Sequence, residues 1–83
     1  MTKKQALLNA ELDTESEIEP IAHAMLGAGV SKPVTLHALS HAARELLESY
    51  ADDRNVRVDA LDIRAVLIAE KAIASQSLSI LRA

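Results

Sequence analysis

The clearest hydrophobic pattern in the chain lies over residues 35–53, where apolar residues recur at steps of three and four. The apolar positions that fall on one side of a helix are Leu36, Leu39, Ala43, Leu46, Leu47 and Tyr50. The opposite side carries polar and charged residues, among them Arg44 and Glu48, which are four residues apart and are expected to pair across one turn. This periodicity is typical of an amphipathic helix that buries one side. It predicts a central helix over 35–53, capped by either Ser31 or Thr35.

A second stripe precedes the central helix. Its apolar positions are Ile18, Ile21, Ala22, Met25 and Leu26. This spacing predicts a helix over 16–28. Thr14 followed by Glu17 has the spacing of a capping box, and Ser16 is a second candidate for the cap. The Gly-Ala-Gly sequence at 27–29 offers the backbone freedom with which helices often end.

A third helix is predicted from residue 60 to about residue 80, because this stretch contains no glycine or proline. Asp59 is its predicted cap, with Asp62 three residues later in the reciprocal position. The apolar residues of this stretch cover more than one side of the helix. A helix that is apolar on two sides needs two partners, which favours a second subunit.

The predicted fold is therefore all-α, with three main helices in a small bundle and a short fourth helix over residues 3–12. We assign residues 1–15 to an N-terminal segment and residues 16–83 to a single helical domain. The residues expected to form the core or the contact between subunits are Leu39, Leu46, Leu47, Ile63, Val66 and Leu67.

Composition adds an argument for self-association. Of the 83 residues 49% are apolar, yet there is one Tyr and no Phe or Trp, so the core must be assembled from aliphatic side chains. Small cores of this kind often need a second copy to be completed, and a two-fold dimer is the simplest oligomer. The chain has no cysteine and no apolar run long enough to cross a membrane or to form a secretion signal. We therefore expect a cytoplasmic protein with no membrane contact.

Charge argues against general nucleic-acid binding, because the net charge is −3 and such binding depends on an excess of Lys and Arg. Residues 54–83 alone are basic, with five basic and three acidic groups. Arg54, Arg57 and Arg64 are the residues of this third that would contact nucleic acid. A difference of +2 is more typical of solvated helix faces or of subunit pairing than of a nucleic-acid footprint.

The most specific hypothesis of a chemical function rests on two histidines. His37 and His41 are four residues apart on the predicted central helix, so both rings can point the same way. Glu45, one turn further, would complete three ligands for zinc or another divalent ion. A metal-dependent enzyme that uses His37 and His41 is therefore one hypothesis. The serines show no activating arrangement and the glycines no phosphate-binding loop, so no catalytic residue and no cofactor are expected.

Two stretches resemble known families. The sequence VRVDALDIRAVL at 56–67 resembles the second half of a histone fold, and a similar piece occurs in the lid domains of AAA+ ATPases. The histone resemblance covers residues 17 to about 70, with a short first helix, a central helix, and a short strand before the last helix. It implies a dimer that associates with DNA. The sequence TLHAL at 35–39, followed by two alanines at 42–43, is similar to a segment of longer, uncharacterised bacterial proteins. That second resemblance implies no activity.

The leading hypothesis from the sequence is a non-enzymatic, homo-oligomeric protein-interaction module. It has two alternatives. One is a histone-like architectural or regulatory protein on DNA, and the other is the metal-dependent enzyme. In each case the partner expected first is a second copy of the chain, and another protein is the next.

Overall fold

Three helices of nearly equal length make up the computed structural model, which describes the backbone of residues 2–82 and the side chains of residues 2–76. They are α1 (Lys3–Gly27), α2 (Lys32–Asp53) and α3 (Leu61–Arg82). Short connections turn the chain back twice, so α2 runs antiparallel to both neighbours. Each helix packs against the other two, in a bundle of 39 × 23 × 16 Å. The predicted all-α bundle of three main helices is confirmed.

The first helix differs most from its prediction. It begins at Lys3, where Thr2 and Gln5 form a capping box: Gln5 N donates to Thr2 Oγ1 over 3.1 Å, and Thr2 N donates to Gln5 Oε1 over 3.2 Å. The helices predicted over 3–12 and 16–28 are one continuous helix. The expected boundary between an N-terminal segment and a helical domain, after residue 15, falls inside it.

The capping box predicted at Thr14 is wrong because Thr14 lies in the interior of α1. A stripe of buried residues at every fourth position carries the helix through this region. Its members are Ala6, Ala10, Thr14, Ile18 and Ala22. Buried Thr14 satisfies its hydroxyl within the helix, since Thr14 Oγ1 donates to the carbonyl oxygen of Ala10 over 2.8 Å. The stripe is hard to recognise in the sequence because it is built mainly from alanine and threonine.

Pro20 also lies inside α1 rather than in the first turn of a helix. Proline has no N–H group, so the helix loses one backbone hydrogen bond at this point. Pro20 is exposed, whereas the neighbouring stripe residues Ile18 and Ala22 are fully buried. Packing of the buried side therefore stabilises the helix on both sides of Pro20, although proline ordinarily ends a helix.

Both connections use a left-handed residue to end the helix before them. At the end of α1, Gly29 has a φ of 87° and Val30 N donates to the carbonyl oxygen of Met25 over 3.0 Å. At the end of α2, Asn55 has a φ of 58° and Val56 N donates to Ala51 O over 3.0 Å. These six-residue closures are Schellman motifs, which satisfy carbonyls that a helix end leaves free.

The first turn of α2 settles the choice between its two predicted caps. Ser31 is the cap, and its hydroxyl accepts from Val34 N over 3.4 Å. Pro33 follows within the first turn, where its missing N–H costs no hydrogen bond. Thr35 lies one turn inside the helix and is fully buried. The helix thus begins at Lys32, three residues before the predicted start.

The third helix begins at Leu61, so the residue directly before it is Ala60, with a φ of 54°. Asp59, the predicted cap, precedes it by one further position, and its carbonyl oxygen accepts from Arg64 Nε over 2.9 Å. Asp62 pairs with Arg44 of α2 rather than with the helix end. Before α3, Val56 and Val58 are partly buried against the core and hold the connection to the bundle.

Alanine dominates the interior. Among the described residues, twelve apolar side chains are buried and eight of them are alanines. The four larger ones are Ile18, Leu39, Leu47 and Ile68. Small side chains let helix axes approach closely, so the three helices close over a core that contains few large groups.

The predicted core residues divide into two groups. Leu39 and Leu47 are fully buried, and Leu46 is partly buried against the core. The other three, on α3, are exposed: Ile63, Val66 and Leu67. As core residues of a single chain these three predictions are wrong, because alanines of α3 take the inward positions. Their participation in a contact between subunits stays a prediction.

Candidate interaction surface

The third helix is apolar on two opposite sides. Its inward side carries Ala65, Ile68, Ala69 and Ala72, all buried. At 100° per residue, Ile63 and Leu67 lie on the opposite side and Val66 beside them. Ile63 is 64% exposed, Leu67 59% and Val66 36%. We call these three residues the outer face of α3. Large aliphatic side chains clustered this way on a surface are typical of interaction sites.

A shallow hollow lies on the outer face. It has a volume of about 280 Å³. The residues that line it are Asp62, Ile63, Val66, Leu67 and Glu70. The spacing of three and four residues places them along two turns of one helix side. The hollow is therefore bounded by an acidic group at each end, with aliphatic side chains between them.

A larger groove, of about 430 Å³, runs between α2 and α3 and shares Val66 with the hollow. Its apolar lining is formed by Pro33, Leu36, Ala65 and Val66. Its polar lining is formed by His37, Ser40, His41, Arg44 and Asp62. Because Val66 belongs to both depressions, the outer face of α3 continues into this groove without a break.

His37 and His41 do come together, as their spacing predicted. Their ring centroids are 4.8 Å apart, in an edge-on arrangement, and both residues line the groove. Within the part of the chain that the structure describes, however, no group of three or more His, Cys, Asp or Glu residues is placed to hold a metal ion. Glu45 is exposed and does not line the groove. The predicted three-ligand set of His37, His41 and Glu45 is therefore not formed.

Arg44 is a residue of the groove that sequence reasoning assigned elsewhere. Its spacing suggested a pair with Glu48, but its Nε atom donates to the carboxylate of Asp62 across the groove. The hydrogen bond and the charge of Asp62 raise the pKa of Arg44 above its ordinary value. This ion pair joins the middle of α2 to the first turn of α3. Only the antiparallel arrangement of α2 and α3 brings the two residues together.

The acidic stretch of α1, which suggested a helix start, binds the other two helices instead. Residues two apart point to nearly opposite sides of a helix. On one side, Glu11 accepts from Arg64 and Glu15 accepts from Lys71, each over 3.0 Å. The Glu15 hydrogen bond is the main cause that raises the pKa of Lys71. This side of α1 therefore pairs with basic residues of α3.

The other side of the same stretch pairs with α2. Asp13 accepts from Arg54, and Glu17 accepts from the Tyr50 hydroxyl over 2.6 Å. Arg54 also donates to the carbonyl oxygen of Tyr50 over 3.1 Å. The uneven distribution of charge along the sequence is thus explained by pairs within the chain, because acidic residues of the first third bind basic residues of the last third.

These pairs change the interpretation of the predicted nucleic-acid residues. Arg54 and Arg64 are engaged with Asp13 and Glu11, and Arg57 is exposed on the connection between α2 and α3. A phosphate would have to compete with carboxylates already bound to the first two. The three arginines therefore do not present a shared row of free guanidinium groups.

A smaller apolar pair lies on α1. Leu8 and Leu12 are four residues apart and are 54% and 49% exposed. They lie opposite the buried stripe of α1.

Within the described part of the chain, no helix combines the length and the apolar character needed to cross a membrane. Comparison with protein-family models, with curated proteins and with solved structures found no match. The resemblance to a histone fold implied a short first helix, whereas α1 has 25 residues and α2 and α3 have 22 each. Residues 56–58 form no strand.

Proposed function

We propose that the chain is a non-enzymatic protein-interaction module whose first partner is a second copy of itself. The observation that carries the proposal is the outer face of α3, which leaves Ile63 and Leu67 more than half exposed beside a hollow on the same helix. Covering that face removes aliphatic surface from water, at about 25 cal/mol per Å² buried. We also propose a cytoplasmic location, on the sequence argument given above.

A helix is the partner that the spacing favours. Ile63, Val66 and Leu67 follow one another at the intervals with which one helix anchors itself on another. The hollow beside them lies on the same helix, so the face carries both projecting side chains and a depression that can receive them. A surface with both features can bind its own copy across a two-fold axis. This self-complementarity favours a homodimer over an unrelated partner.

The test is the native mass of the chain, measured by sedimentation over a range of micromolar concentrations. We expect a dimer for the unaltered chain and a monomer for Leu67→Ser, since a hydroxyl in place of the exposed leucine removes aliphatic contact area. Circular dichroism of the variant is expected to retain its helix signal, because Leu67 contributes little to the closed core.

Leu12→Ser is the matched control. It makes the same chemical change at a leucine with similar exposure on α1, away from the outer face of α3. We expect this variant to remain dimeric. A monomeric unaltered chain throughout the concentration range would overturn the proposal, and so would loss of the dimer to the same degree in both variants.

A further inference from the structure

We infer that two copies pair through α3 in an antiparallel manner, with the two-fold axis passing between Val66 and Leu67. This inference rests on the proposed homodimer and specifies its geometry. Residues whose numbers add up to 133 then lie opposite one another. Ile63 of one copy then faces Glu70 of the other.

The position of the axis follows from the hollow. Its lining extends from Asp62 to Glu70, with Val66 at its middle and Leu67 directly beside the middle. With a rise of about 1.5 Å per residue, the hollow spans about 12 Å along the helix. An axis at the middle places the projecting leucine of each copy over the aliphatic part of the other hollow. An axis at either end would leave one aliphatic residue uncovered.

The antiparallel direction follows from charge. The groove at the beginning of α3 carries Arg44 beside His41, and Arg44 lies level with Asp62 because the two side chains are bonded. Glu70 lies eight residues later, about 12 Å along the helix. An antiparallel pair brings Glu70 of one copy toward Arg44 and His41 of the other. A parallel pair would instead place the two Glu70 carboxylates together.

The helix dipoles favour the same direction, because the dipoles of neighbouring antiparallel helices attract one another whereas those of parallel helices repel.

The absence of cysteine from the sequence permits a direct test by disulfide formation. Two variants of the full chain, Ile63→Cys and Glu70→Cys, are prepared separately and then mixed and oxidised. In the antiparallel pair position 63 faces position 70, at a separation that a disulfide can bridge after small adjustments. We expect cross-linked dimers in the mixture that contain one copy of each variant, and little cross-linking of either variant alone.

Native mass before oxidation separates the failure of this inference from the failure of the proposed function. If the chain is dimeric but each variant cross-links to itself, the pairing is parallel and the inference is overturned. If it is dimeric and no cross-link forms in the mixture, positions 63 and 70 do not face each other and the inference is again overturned. A monomeric chain would overturn the proposed homodimer as well.

Charge reversal gives a second test without cysteine. Glu70→Lys is expected to raise the dissociation constant of the dimer about fivefold, because it places a cation near Arg44 of the other copy. Adding His41→Glu to the same chain is expected to recover most of this loss. Asp53→Lys, an equal reversal of charge at the exposed end of α2, is expected to leave the dissociation constant unchanged. Equal effects of Glu70→Lys and Asp53→Lys would contradict the inferred contact.

Discussion

The buried stripe of α2 and the outer face of α3 are both apolar, but they differ in the size of their residues. The stripe alternates small and large groups at every fourth position, and its members are Thr35, Leu39, Ala43, Leu47 and Ala51. The outer face of α3 carries only large aliphatic groups, whereas its inward side is mostly alanine. The difference shows that close approach of the helices, and not hydrophobicity alone, decides which side of a helix turns inward.

The largest difference between the two regions is expected on truncation of leucine. Leu47→Ala removes a fully buried side chain and should lower the free energy of unfolding by about 2–5 kcal/mol, because the closed bundle cannot fill the cavity. Leu67→Ala should change the stability of the monomer by less than about 0.5 kcal/mol. Urea unfolding followed by circular dichroism, at concentrations low enough to keep the chain monomeric, measures both. Similar losses would mean that Leu67 belongs to the core.

Enlarging an alanine tests whether small side chains are what allow α2 to pack closely against its neighbours. Ala43→Leu should lower the free energy of unfolding by about 1–3 kcal/mol, since the added atoms must push α2 away from its neighbours. Ala38→Leu makes the same change at an exposed position of α2 and should be nearly neutral. The comparison uses the same unfolding experiment. If both variants are tolerated equally, the stripe is more loosely packed than its burial indicates.

Substitution of a buried threonine is expected to have a smaller effect, and to raise rather than lower the free energy of unfolding. Within the described structure, Thr35 Oγ1 is buried without a hydrogen-bond partner, whereas Thr14 Oγ1 donates to Ala10 O. Thr35→Val keeps the shape and removes the unsatisfied hydroxyl, so it should raise the free energy of unfolding by about 1 kcal/mol.

Thr14→Val is the matched control for this change, because it removes a hydroxyl that is already satisfied. It should stabilise the chain less than Thr35→Val, or destabilise it slightly. Thermal unfolding of the two variants side by side measures the difference. Stabilisation of the same size at both positions would show that the hydrogen bond of Thr14 contributes nothing.

The sequence could predict the helical class of the fold and the buried side of α2, but not the buried side of α3. Leucine periodicity identified α2 together with the buried Leu39 and Leu47, because large residues spaced on one side leave a clear signal. It could not identify the inward side of α3, since Ile63 and Leu67 are more hydrophobic than the alanines that are buried there. Likewise, the outer face becomes recognisable as a candidate site only when the alanines are seen to close the bundle.

Local motifs failed where a tertiary contact used the same residues. Thr14 and Glu17 have the spacing of a capping box, but the first faces the core and the second binds Tyr50 of α2. Arg44 has the spacing to pair with Glu48 but binds Asp62 of α3. Both actual partners lie at least 18 residues away in the sequence, so no local spacing reveals them.

The smallest expected effect lies at the border of the buried stripe, where Tyr50 donates its hydroxyl to Glu17. This hydrogen bond, with burial and the neighbouring negative charge, raises the pKa of Tyr50 above its ordinary value. A raised pKa in the folded chain means that the neutral phenol stabilises the fold. Its contribution is fully present below the pKa of the unfolded chain and is lost as the pH rises through that of the folded chain.

Tyr50 is the single tyrosine and the chain has no tryptophan, so ultraviolet absorbance reports its ionisation alone. Glu17→Gln should move the titration toward lower pH, because the amide can still accept the hydrogen bond but no longer repels a phenolate. Glu48→Gln removes an equal charge from an exposed position of α2 and should leave the titration unchanged. Coincident curves for the unaltered chain and Glu17→Gln would show that α1 and α2 are not joined at this point. The border of the buried stripe of α2 would then be held against α1 by packing alone. The proposed contact between the outer face of α3 and a second copy depends on packing in the same way.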